Sequence, residues 1–114
     1  MKNKTEFIYV GKVVSAYDAD TIRVDFDLGL DVWVKKQIIR LHGINAPELR
    51  GAEKEAGYAA RDFLREMILG KEVVIQTFKD KKGKYGRWIG EIWLNGVSVN
   101  KALVDAGHAV YKKY

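Results

Sequence analysis

Polar and apolar residues alternate cleanly over Thr21–Leu28, TIRVDFDL. Ile22, Val24 and Phe26 share one face, and Arg23, Asp25 and Asp27 the other, the period-two signature of a half-buried strand. The preceding segment 7–17, FIYVGKVVSAY, is β-branched and aromatic and predicts a first strand, with Gly11 a candidate bulge. DADT makes a turn between these two, and a third strand is expected from about Val32 to Leu41. The period then changes. Across 53–69, EKEAGYAARDFLREMIL, the residues Ala56, Ala59, Ala60, Phe63, Leu64, Met67 and Ile68 form one helical stripe, and Gly70 supplies a stop. EVVIQTF and RWIGEIWL predict a fourth and a fifth strand, Asn95-Gly96 signals a type I′ hairpin, and VNKALVDAG reads as a short helix closed by Gly107.

Three strands, a long helix, two strands and a short helix make an α+β, mainly β chain. A helix between the third and fourth of five strands is the element order of an OB-fold barrel, a class whose loops commonly bind nucleic acids and saccharides. Order alone does not give function. With 114 residues, 47% of them hydrophobic, residues 1–114 are expected to form one domain. A domain of this size buries roughly two-thirds of its unfolded surface.

Composition narrows the chemistry. The chain has no cysteine, so neither a disulfide nor a thiolate ligand or nucleophile is available. No apolar run approaches the roughly 20 residues of a bilayer span, so no membrane association is expected. The start, MKNKTEFIYVGKVV, lacks a long uncharged segment, Lys12 interrupting it, and reads as a strand rather than an export signal. Localisation is then cytoplasmic if Met1 is the native start, and secreted if a signal peptide was removed from a longer precursor.

Net charge is +5, which favours a polyanionic partner. Its distribution is uneven. Residues 79–87, KDKKGKYGR, carry five basic groups against one acid, whereas Glu53–Glu66 carries four acids against three bases. A basic loop of this kind could grip a phosphate backbone, or could simply be solvated.

Three polar clusters fall at strand ends: Asp18–Thr21, the span from Arg40 to Glu48, and Lys84–Arg87. Parity places Asp20 on the apolar face at the mouth of the second strand, where a carboxylate needs a cation or donors. Each cluster alone admits a structural explanation. DADT could be turn chemistry, Asn45 and Pro47 could shape a loop, Glu48 could cap the following helix, and Arg87 could be a surface arginine. Together they supply what phosphodiester hydrolysis requires: an oxygen ligand in Asp20, a candidate base in Glu48, and planar donors for phosphate oxygens in Arg40 and Arg87. His42 and His108 lack partners at ligand spacing, so no array suits zinc.

The segments VVSAYDADT, IIRLHGINAPE and KYGRWIGEIWLNGVSVNKALVDAGHA, in this order, resemble the staphylococcal nuclease (thermonuclease) family. The similarity runs from about Phe7 to Tyr111. The resemblance implies a five-stranded OB barrel and calcium-dependent cleavage of DNA and RNA, the protein acting as a monomer. By position, Asp20 resembles the family's calcium-binding aspartate, Glu48 its general base, and Arg40 and Arg87 its phosphate-binding arginines. Lys84, Tyr85 and Tyr111 fall near its substrate contacts, where aromatic rings would stack on bases regardless of sequence. Two departures stand out. The second calcium-binding aspartate falls on Asn45, followed by Ala46, whose backbone carbonyl is the group required. The neutral Asn45 oxygen predicts a weakly bound Ca²⁺. The family's carboxy-terminal helix is also expected to be lacking, leaving an apolar face to be covered by other contacts or by a partner.

Three functions therefore stand: a Ca²⁺-dependent nuclease, a non-catalytic nucleic-acid-binding module with a degenerate metal site, and a protein-interaction domain whose polar clusters are structural.

Overall fold

The computed structural model describes residues 6–78 and 88–112. β1 (Glu6–Asp18), β2 (Thr21–Asp27) and β3 (Trp33–Leu41) form an antiparallel meander. After a short strand β4 (Ile44–Asn45) and helix α1 (Lys54–Ile68), β5 (Glu72–Phe78) pairs antiparallel with the free edge of β1, and β6 (Trp88–Leu94) pairs with β5. Parallel pairing of β6 with β3, Ile39 opposite Trp88 and Leu41 opposite Gly90, closes a five-stranded barrel. This is the OB-type architecture expected, with the long helix where expected. Among the described residues no helix is long and apolar enough to cross a membrane.

Three short strands are absent from the hydropathy pattern, because two-residue pairings have no period to read. Besides β4 they are β7 (Val97–Ser98), which pairs with β6, and β8 (Val110–Tyr111), which pairs antiparallel with β4. The turn between β6 and β7 holds Asn95 and Gly96 at φ of 51° and 82°, the paired left-handed conformations of a type I′ turn. Ser98 then caps α2 (Val99–Asp105), its hydroxyl accepting from the Lys101 N–H.

Ile22, Val24, Ile39, Leu41, Ile75 and Ile92 fill the barrel, and Ala60, Leu64 and Ile68 of α1 join them. Burying each of the larger aliphatic side chains contributes roughly 1.5–3 kcal/mol. The helical stripe is narrower than its sequence suggests. Ala56 and Ala59 are exposed, and Phe63 and Met67 only half-buried, because α1 packs across one end of the barrel. Gly11 forms no bulge: it sits in regular register with Phe26 and Val73, and the irregularities come later, between Val13 and Ser15 and between Ala16 and Asp18. Its role is packing, since a Cβ there would lie 2.5 Å from Cγ1 of Val24.

Two buried residues fix the helices against the rest of the fold. Asn100 of α2 accepts from the Ile92 N–H (3.0 Å) and donates to the carbonyls of His42 (2.9 Å) and Gly90 (3.2 Å). Gly57 of α1 lies directly under the loop that follows β4, and a Cβ there would fall 2.1 Å from the Glu48 carbonyl oxygen. Because the contact is backbone to backbone, no side-chain rotation can relieve it. Gly57→Ala should therefore destabilise the fold by about 1–3 kcal/mol, despite the ~1 kcal/mol that alanine normally gains over glycine inside a helix. Urea denaturation followed by circular dichroism measures this; a variant as stable as the parent would show that loop and helix separate freely.

Candidate active site

The site begins at the β1–β2 turn. Asp18 Oδ1 accepts from the Asp20 N–H (3.1 Å), while the Asp20 carbonyl accepts from the Leu41 N–H (2.8 Å) and pins the turn to the end of β3. Asp20, the last turn residue before β2, is only 9% exposed. Its Oδ1 accepts from the Thr21 hydroxyl (3.3 Å) and its Oδ2 from the Ala46 N–H (3.0 Å). Arg40 Nη2 lies 3.6 Å from the same Oδ2 and donates to Asn45 Oδ1 (2.9 Å), while Nη1 donates to the Leu41 carbonyl (2.9 Å). One guanidinium nitrogen thus faces both the Asp20 carboxylate and the Asn45 amide oxygen.

Beyond Pro47 the chain turns under α1. Glu48 is exposed, and its N–H donates to Glu53 Oε1 (3.0 Å). Glu48 does not cap α1, whose N-cap position is Glu53 with no side-chain cap bond. Asp20, Arg40, Asn45, Ala46 and Glu48 line one open cavity of about 460 Å³. The β4–β8 pairing sets Val110 against Asn45 and Tyr111 against Ile44, so the 64% exposed Tyr111 stands beside the site rather than in its wall. Lys84, Tyr85 and Arg87, with the rest of the basic segment 79–87, lie outside the described residues.

Three further titratable side chains line this cavity: Asp18, Glu53 and His108. Asp18 shares the parity of Asp20, a signal available in the sequence. Glu53 and His108 are brought in by the turn before α1 and by the segment after α2, and local sequence carries no sign of either. The His108 ring packs 4.7 Å from that of Phe63.

Burial raises the Asp18 carboxyl from its ordinary 3.8 to about 6, and the adjacent Asp20 reinforces the shift through its hydrogen bond and its charge. Apart from the His108 ring, the donors in the cavity are oxygens, from carboxylates and an amide, which suits a hard cation better than zinc. Among the described residues no group of three or more His, Cys, Asp or Glu gathers as a metal-holding set. A cation here would depend on the neutral Asn45 oxygen and on backbone carbonyls to complete its shell.

A closed OB-type barrel with carboxylates and an arginine converging at its strand ends defines the class. The pattern of the family described as Staphylococcal nuclease homologue matches residues 38–114. The chain is 31% identical over its whole length to a thermonuclease of Staphylococcus hyicus, covering 64% of that protein. It is 29% identical over 94% of its length to a protein of Methanocaldococcus jannaschii whose name states no activity, covering 63% of it. Over 81% of its length it is 34% identical to a protein of Oryza sativa subsp. japonica named as a probable staphylococcal-like nuclease, covering 26% of that chain. The chain belongs to the staphylococcal nuclease family. It spans less than two-thirds of the length of each of these relatives.

The Asp18 shift has a definite sign. A carboxyl whose folded pKa stands at about 6 against 3.8 holds its proton more tightly in the folded chain, so its contribution to stability falls as pH rises through that window. An asparagine side chain at this position would not titrate and could still accept from the Asp20 N–H. In calcium-free buffer the gain in melting temperature of Asp18→Asn over the parent should therefore be larger at about pH 7 than at about pH 4. Equal gains at both values would mean that Asp18 carries no such penalty.

Proposed function

We propose that the chain is a Ca²⁺-dependent nuclease that hydrolyses phosphodiester bonds of DNA or RNA. What carries the reading is the convergence of Asp20, Arg40, Asn45 and Glu48 on one cavity, in a chain of a nuclease family. Arg40 would bind the scissile phosphate through its planar donors, with Arg87 as a second guanidinium. Glu48 would orient a water and take its proton as the water oxygen bonds to phosphorus and the opposite P–O bond breaks. The Asp20 carboxylate, the Asn45 amide oxygen and the Ala46 carbonyl would hold Ca²⁺, whose charge would offset that of the phosphate. Lys84, Tyr85 and Tyr111 would hold the neighbouring nucleotide by charge and by stacking.

Glu48 is exposed, and its side chain makes no hydrogen bond or ion pair among the described residues, so its replacement should leave the fold intact. Glu48→Gln is expected to bind single-stranded DNA nearly as the parent does and to hydrolyse it ~10²–10⁴-fold more slowly, the usual cost of removing a general base. Parent and variant degrading the strand at the same rate would remove Glu48 from the reaction.

A second reading, a nucleic-acid-binding module without catalysis, is favoured by one observation. Asn45 supplies a neutral oxygen, and that oxygen is already engaged by Arg40. Calcium affinity follows the charge of the ligand set, so Asn45→Asp should lower the calcium concentration needed for half-maximal activity. Hydrolysis by the parent at raised calcium, reached at lower calcium by the variant, is the outcome expected of an enzyme. Hydrolysis by the variant alone would identify the parent as a binding module.

A further inference from the structure

A second depression of about 620 Å³ adjoins the candidate active site, and Asp18 and Glu48 line both. Its far side has a different chemistry. Tyr58, Arg61 and Arg65 are spaced i, i+3, i+7 and so share one face of α1, alongside its buried stripe of Ala60, Leu64 and Ile68. Tyr17, near the end of β1, and Leu49 and Arg50, in the loop before α1, complete the wall. Arg65 is held in place, its Nε donating to the Ala16 carbonyl (3.1 Å). Arg61 stacks its guanidinium 4.5 Å from the Tyr58 ring centre and also bonds the Asp62 carboxylate (3.0 Å), which offsets part of its charge. Arg50 makes no hydrogen bond or ion pair among the described residues, and Tyr17 is 71% exposed.

Exposed tyrosines interleaved with arginines suit a ligand that offers flat apolar faces and regularly spaced negative charge. A free phosphate would make no use of the rings. A duplex keeps its base faces stacked inside, so only an unpaired strand offers both features. The two shared carboxylates would repel phosphate at the junction and favour it along the arginine wall.

We propose that this groove is a second nucleotide subsite for single-stranded nucleic acid: a flanking base stacks on Tyr17 or Tyr58, and the next phosphate lies against Arg50 and Arg61. The proposal rests on the nuclease reading for the reactive phosphate, which lies at Arg40 and Glu48. The groove therefore adds affinity only for strands long enough to pass Glu48.

Binding of labelled oligothymidylates of about two and about eight nucleotides, measured by fluorescence anisotropy in calcium-free buffer with full-length protein, tests this. Tyr17→Ala/Tyr58→Ala should weaken octamer binding about tenfold, with a much smaller effect on the dimer, and Tyr17→Phe/Tyr58→Phe should restore it. Arg50→Gln/Arg61→Gln should reduce the slope of log affinity against log salt for the octamer by about 1.4, at about 0.7 per phosphate contact. Lys35→Gln, which removes one charge from a side chain stacked on Trp33, should spare the length dependence. Melting curves establish that each variant is folded.

Octamer binding by the alanine and glutamine variants equal to that of the parent would overturn the proposal. So would equal losses for dimer and octamer, or displacement of the octamer by polyglutamate as readily as by unlabelled strand. If the parent hydrolyses nothing but the length-dependent losses occur, the groove stands and the nuclease reading fails. If it hydrolyses DNA while the variants bind the octamer normally, the groove fails and the nuclease reading stands.

Discussion

A carboxylate buried at the end of a barrel must be matched by donors, and Asp20 sets that requirement here. Taking an ionised carboxylate out of water costs several kcal/mol unless hydrogen bonds and opposite charge replace the lost solvation. The hydrogen bonds come from its neighbour Thr21 and from the Ala46 N–H after β4, and the opposite charge from the Arg40 guanidinium near the end of β3. The Ala46 and Arg40 contacts form only if the β1–β2 turn docks on β3 and the loop after β4 folds back across it. The contact that makes Asp20 tolerable therefore also gathers Arg40, Asn45 and Ala46 into one place.

The loop carrying Glu48 is held through its main chain, not through the Glu48 side chain. Gly57 lets α1 approach the Glu48 carbonyl, Glu53 accepts from the Glu48 N–H, and β8 pairs with β4 just upstream. Glu48 thus presents an exposed carboxylate from a braced main chain. That combination suits a group that must meet a solvent-borne substrate at a defined position. Asn100 does comparable work elsewhere, joining α2 to the residue after β3 and to the middle of β6 through three hydrogen bonds.

Charge around the cavity is finely set. Asp18 and Asp20 lie close enough that burial and mutual repulsion raise the Asp18 carboxyl, and Arg40 is the cation placed against Asp20. An aspartate in place of Asn45 would add a further carboxylate to a cavity already lined by Asp18, Asp20, Glu48 and Glu53. Asparagine keeps an oxygen in the same position without the repulsion. The consequence is a cavity better balanced when empty, and a weaker electrostatic hold on any cation it takes.

Much of this was legible in the residues. The alternation of 21–28 and the helical stripe of 53–69 specify strand and helix because a side chain's direction follows from local backbone geometry alone. Asn95-Gly96 declares its turn for the same reason, and the parity of Asp20 foretold its burial. Gly57, Glu53, Asn100 and His108 carried no comparable sign, and Gly11 was misread as a bulge. Their roles depend on what lies across from them: a carbonyl over Gly57, a backbone N–H beside Glu53, the backbone of β6 and of His42 beside Asn100, and a valine side chain over Gly11. The sequence by itself determined the five long strands and the two helices, their order and the polar groups at their ends, since those follow from short-range periodicity and backbone preference. Only the tertiary structure decided which of those ends meet, because the parallel closure of β3 on β6 and the β4–β8 pairing join segments whose separation along the chain leaves no local trace.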